Sequence, residues 1–160
     1  MIHSETAGEP ASLLEGARAL LAGERDAVAN AANLAALIFT SLPDVNWAGF
    51  YFVRGEELVL GPFQGKPACV RIARGRGVCG TAWERGETQV VADVHAFPGH
   101  IACDSASNAE IVVPVRDGDR IVGVLDVDSP RIDRFDDADR GSLESLVALY
   151  VECSGLAQFK

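Results

Sequence analysis

The chain has 160 residues and a mass of 17.0 kDa, room for one domain of ordinary size. Apolar residues make up 48% and charged residues 23%, which excludes disorder and low complexity as its main theme. Fourteen Lys and Arg against 23 Asp and Glu give a formal charge of −9, a surface that repels phosphate. Nucleic acid and anionic membrane are therefore poor partners, and a cationic or zwitterionic ligand suits the chain better.

Pro10 opens a helical pattern (Leu13, Ala17, Leu20, Leu21) that Gly23 stops. A second helix is predicted over 26–42, with Val28, Ala31, Ala35, Ile38 and Leu42 on one face and Pro43 ending it. Residues 47–53 and 57–64 read as strands joined through Arg54-Gly55-Glu56. A short strand at 70–72, a short helix at 78–85 and a strand at 88–92 follow. Residues 111–116 and 120–128 form a second hairpin, with Asp117-Gly118 as its turn signal. The last helix runs over 137–154: Asp136 caps it, and Leu143, Leu146, Val147, Tyr150 and Val151 make its apolar face. Helices, then short strands joined mostly as hairpins, then a helix define an α+β fold, a central antiparallel sheet with N- and C-terminal helices packed on it. Residues 1–160 read as one unit: N-terminal helices to 42, sheet and loops over 47–129, C-terminal helix over 136–155.

No stretch reaches the ~20 apolar residues of a membrane span. Glu5 and Glu9, with no basic segment, do not read as a secretory signal. Four cysteines do not make a secreted disulfide scaffold, so the expected compartment is the cytoplasm, where clustered cysteines are catalytic, redox-active or metal-binding. Cys153 falls in the last helix beside apolar residues and reads as a small buried hydrophobe. Cys69 follows Lys66-Pro67, and Cys79 stands in a glycine-rich turn at a helix start. Cys103 lies in an 18-residue loop, 93–110, without periodicity, which also holds His95 and His100. Loops and helix N-termini are where thiolates form. Zinc held by Cys69, Cys79, Cys103 and His95 or His100 is the rival use, but the spacing lacks the short C-x₂₋₄-C knuckle.

Gly75 to Gly80 spells G-x-G-x-x-G. The following helix is too short for a dinucleotide crossover and no acidic residue stands 20 residues on, so a tight turn is expected instead. Asp126 and Asp128 are one residue apart on a strand and share a face about 7 Å apart. Val122 and Val124 are expected on that face, and Ile121, Leu125 and Val127 on the other. Either the strand ends near 125 and both carboxylates are solvated, or they hold a cation or polar ligand, with Glu110, just before the paired strand, as a third. Trp47, Gly49, Tyr51 and Val53 share one face of the first strand, and the two large rings either pack in the core or wall a small pocket.

Four segments carry a resemblance: L-G-P-F-Q-G-K-P-A-C (60–69), G-R-G-V-C-G-T-A (75–82), D-V-H-A-F-P-G-H-I-A-C-D-S-A-S-N-A-E-I-V-V-P (93–114) and G-V-L-D-V-D-S (123–129). Together they resemble the free methionine-(R)-sulfoxide reductases, which are GAF-type domains. The resemblance implies Cys103 as nucleophile toward the sulfoxide sulfur, Cys69 as the resolving cysteine and Cys79 as an auxiliary thiol near the entrance. It implies Glu110, Asp126 and Asp128 as substrate-binding and proton-handling acids and Trp47 and Tyr51 as the aromatic wall. It further implies thioredoxin as reductant, a homodimer and no flavin, nicotinamide or metal cofactor. The competing readings are a GAF-type module binding a small regulatory ligand and a thiol redox sensor or zinc protein without turnover.

Overall fold

The computed structural model describes residues 10–99 and 106–159. Helix α1 (Pro10–Leu21) starts on the proline, whose missing N–H costs nothing in a first turn. Helix α2 (Ala27–Ser41) is capped by Asp26, whose carboxylate accepts from the amides of Val28 and Ala29. Six strands follow: β1 (Trp47–Arg54), β2 (Glu57–Gly65), β3 (Arg71–Ala73), β4 (Gln89–Val91), β5 (Ala109–Asp117) and β6 (Arg120–Ser129). Helix α3 (Gly77–Arg85) lies between β3 and β4, and α4 (Asp137–Cys153) follows β6. Asp136 and Asp139 close a reciprocal capping box at the start of α4.

The strands form one antiparallel sheet in the order β3-β2-β1-β6-β5-β4. Alternation along the strands divides the interior in two. One face presents Phe50, Phe52, Ile111, Val113, Leu125 and Val127 to α1, α2 and α4. The other presents Trp47, Tyr51, Val53, Val112 and Val124 to α3. The hydroxyl of Tyr150 on α4 donates to the carbonyl of Ala27, tying the two long helices together.

Three local expectations change. Leu20 and Val28 are exposed rather than part of the helix interfaces. Val122 lies on the helix-covered face and Ile121 on the α3 side, the reverse of the expected parity, because a bulge shifts the β5–β6 register between Val115 and Arg116. Strand β5 starts at Ala109, so Glu110 is inside the sheet rather than ahead of it. The last residues contribute a 3₁₀ turn, Ala157–Phe159, whose Phe159 ring stacks on Phe52 with centroids 4.0 Å apart.

Candidate active site

The glycine-rich segment is the turn that seats α3. Gly75 and Gly77 both have positive φ, and the Gly75 amide donates to the Gly80 carbonyl. A Cβ at Gly80 would lie 2.6 Å from the Ala73 carbonyl oxygen, so only glycine lets α3 approach β3 this closely. With every strand pair antiparallel, the parallel crossover of a dinucleotide fold is absent among the described residues.

This turn places Cys79 over the sheet face where the acids stand. The register makes that face a grid: Asp128 lies between Trp47 and Glu110, Asp126 between Gly49 and Val112, and Val124 beside Tyr51. Residues directly opposite on neighbouring strands have Cβ atoms about 5 Å apart. The strand does not end at 125; β6 continues to Ser129 and carries both aspartates inside. Glu110 and Asp126 are buried at 8% and 6% exposure, and Asp128 is half-buried.

Burial raises the carboxyl of Asp126 well above its ordinary value, and the charges of Asp128 and Glu110 push it further. Burial raises Glu110 too, opposed by hydrogen bonds with Asp126 and Cys79. One oxygen of Asp126, Oδ1, is buried with no hydrogen-bond partner among the described residues. Burial thus favours the protonated form of Asp126, and its unsatisfied oxygen belongs to a residue that lines the cavity. Carboxylates buried at this cost are typical of functional sites.

The cavity they line has a volume of ≈ 60 Å³, walled by Trp47, Tyr51, Ile72, Val78 and Cys79. The Trp47 indole donates to the Lys66 carbonyl at 3.0 Å and the Tyr51 hydroxyl to the Cys69 carbonyl at 2.8 Å. The two rings are thus both core and wall, and their polar tips fix the segment carrying Cys69. Burial, then the nearby Asp126, keeps the Tyr51 phenol protonated far above neutrality. Gly49 makes room for this wall. A Cβ there would press on Phe63 and come 2.8 Å from the Trp47 ring. Gly49→Ala is expected to lower stability by about 1–3 kcal/mol, as for other overpacked cores, which thermal melting will read.

The cysteines divide. Cys79 and Cys153 are free thiols, and Cys69 is disulfide-bonded. Cys79 stands in the first turn of α3, where a thiolate was expected, yet its thiol is pushed far up by burial and by Asp126, Glu110 and Asp128. At 4% exposure it is buried among the cavity-lining residues, its Sγ 3.9 Å from Glu110 Oε1. Cys153 is half-buried against the helix-side core. Cys103 and His100 lie outside the described residues. His95, in a 3₁₀ turn at Val94–Ala96, bonds Asn108 Oδ1 at 3.1 Å, so the zinc set imagined from Cys69, Cys79 and His95 is not assembled among the described residues.

Ser107 and Arg76, which the sequence did not single out, also line the cavity. Ser107 is buried and hydrogen-bonds Asn46, joining the end of the long loop to the start of β1. Its only signal was its place in that loop, two residues before β5.

Residues 24–151 match the GAF domain model, the class that the helix-backed antiparallel sheet and its covered pocket define. The free methionine-R-sulfoxide reductase of Escherichia coli is 57% identical over 130 residues, covering 81% of this chain and 79% of that protein. The structure of fRMsr of Staphylococcus aureus in the reduced form superposes with a TM-score of 0.89 at 48% identity, covering 96% of this chain and 99% of that one. The free methionine-R-sulfoxide reductase of Neisseria meningitidis in complex with its substrate gives 0.89 at 44%, covering 96% and 92%. The chain belongs to the free methionine-R-sulfoxide reductase family.

Among the described residues no helix is long and apolar enough to cross a membrane.

Proposed function

We propose that this chain reduces free L-methionine-(R)-S-oxide to L-methionine, with the buried acid grid of Glu110, Asp126 and Asp128 as the feature that carries the reading. Reducing a sulfoxide takes a thiolate at sulfur and a proton on the departing oxygen. The neutral acid at Asp126, with its unsatisfied Oδ1, is suited to protonate that oxygen. The remaining negative charge of the grid holds the substrate's ammonium. Trp47 and Tyr51 enclose the methylsulfinyl head, for which a cavity of ≈ 60 Å³ is the right scale.

Cys103 is the nucleophile. Its thiolate sulfur bonds to the substrate sulfur as the protonated oxygen leaves as water, and a water then breaks that sulfur–sulfur bond, giving methionine and a sulfenic acid on Cys103. The Cys69 thiol condenses with that acid, releasing water and forming a disulfide. A dithiol partner of the thioredoxin type then exchanges with the disulfide and becomes oxidised itself. The disulfide-bonded state of Cys69, beside the free and protonated Cys79, supports Cys69 as the resolving residue. Cys79 remains as a slower substitute. Exposed Leu20 and Val28 on α1 and α2 are consistent with a homodimer, and the reducing partner with a cytoplasmic setting.

The test is NADPH consumption coupled through thioredoxin and its reductase, using each epimer of free and N-acetylated methionine sulfoxide. Turnover is expected with the free R epimer, because acetylation removes the ammonium the acids engage. Comparable turnover of the N-acetylated compound would overturn the reading. A regulatory module binding a cyclic nucleotide fits less well, since a pocket of carboxylates repels phosphate.

A further inference from the structure

Cys79 Sγ, a Glu110 oxygen and an Asp126 oxygen lie within 4.8 Å of one another, all buried. A tetrahedral zinc site with ligand bonds of about 2.0–2.3 Å spaces its ligand atoms roughly 3.3–3.8 Å apart. The Cys79–Glu110 pair, at 3.9 Å, is close to that spacing already. A second observation points to a ligand independently. Asp126 is 6% exposed, and its Oδ1 has no hydrogen-bond partner among the described residues while it borders the cavity. Such an atom is costly unless something arrives to satisfy it.

We propose that Cys79, Glu110 and Asp126 form a binding site for a divalent cation of the zinc class, occupied in competition with substrate. One sulfur and two oxygens select zinc or cadmium over magnesium or calcium, which take all-oxygen shells of six or more ligands. Three protein ligands leave a fourth position for water, and the ≈ 60 Å³ cavity holds it, since a water takes about 30 Å³. Binding displaces to solvent the thiol proton and the carboxyl proton that Asp126 holds in the empty site, and involves no redox change. The ion would lie where the sulfoxide head is placed above, so it acts as a reversible brake and not as a cofactor. It also gives a use to a thiol too buried and too protonated to be a good nucleophile. The metal site follows from the geometry of these three side chains alone, and only the competition rests on the reductase reading.

The experiment uses the full-length chain carrying Cys153→Ser, in its disulfide form so that Cys69 supplies no thiol. Cadmium is titrated while the ultraviolet thiolate-to-cadmium charge-transfer band is followed, and zinc stoichiometry is measured by equilibrium dialysis. One ion per chain is expected, with the band present. Cys79→Ser should abolish the band, and Cys79→Ser and Asp126→Asn should each weaken zinc binding at least about tenfold, the scale for loss of a ligand or its support. Absence of the band in the otherwise unaltered folded chain, or zinc binding indifferent to both substitutions, overturns the proposal. Metal that binds through Cys79 but is not displaced by saturating methionine sulfoxide upholds the metal site and removes the substrate reading of the pocket.

Discussion

Replacing Cys103 with serine abolishes steady-state turnover of free methionine sulfoxide, by at least about 10³-fold, the scale on which enzymes lose activity with their covalent nucleophile. A serine hydroxyl is far too weak an acid to offer an anion at neutral pH, and it cannot take up the oxygen as a sulfenic acid does. Cys79 does not substitute, because burial, and then the charges of Asp126, Glu110 and Asp128, disfavour its thiolate. Cys69→Ser has a different signature. The first turnover proceeds, the sulfenic acid on Cys103 persists long enough to be trapped by a sulfenic-acid probe, and multiple turnover collapses. Cys153→Ser is silent, since that thiol packs against the helix-side core away from the cavity. Single-turnover and steady-state assays separate these outcomes. Full turnover in the Cys103 variant would remove it as nucleophile.

Asp126→Asn raises stability at neutral pH while lowering kcat/KM by about 10²-fold or more, the usual contribution of a positioned proton donor. In the unfolded chain Asp126 ionises near 3.8, whereas in the folded chain it keeps its proton well above that. Between those two values the folded state binds more protons than the unfolded state, so stability falls as pH rises. Below the lower value both states are protonated and the cost vanishes. One such group costs about 1.4 kcal/mol per pH unit across its window. Glu110 shifts in the same direction and adds to the slope. Asparagine keeps the shape and has no proton to lose, so the variant melts higher at pH 7 by about 2–4 °C per kcal/mol regained. Near pH 3.5 it melts like the unaltered protein. A variant destabilised equally at both pH values would show Asp126 to be an ionised structural partner. The gain in stability against a loss of activity is the exchange expected where function demands buried acids.

Much of this site is written in short-range sequence signals. The i, i+2 spacing of Asp126 and Asp128, the same spacing of Trp47, Gly49 and Tyr51, and the turn residues from Gly75 to Gly80 each assign side chains to a face within one element. Pro10, Asp26, Asp136 and Asp117-Gly118 mark element ends through local caps and turns, and the structure uses all four. The family resemblance rests on the same local segments.

The remainder depended on residues far apart in the chain. Glu110 stands opposite Asp128, and Asp126 between Gly49 and Val112, because of a register spanning three strands. A single bulge then reversed the faces of Ile121 and Val122, since a strand's period of two carries no memory across an extra residue. Cys79 is the sharpest case. Its position at a helix start argues for a thiolate, and the tertiary packing reverses that: burial first, and then the charges of Asp126, Glu110 and Asp128 on the sheet face under α3, push the thiol up. Local signals along the chain set the element ends, the chemical groups and the faces within each unbroken stretch of strand or helix. The tertiary structure decided which of those groups are buried together, and burial in a low-dielectric pocket is what sets their charge.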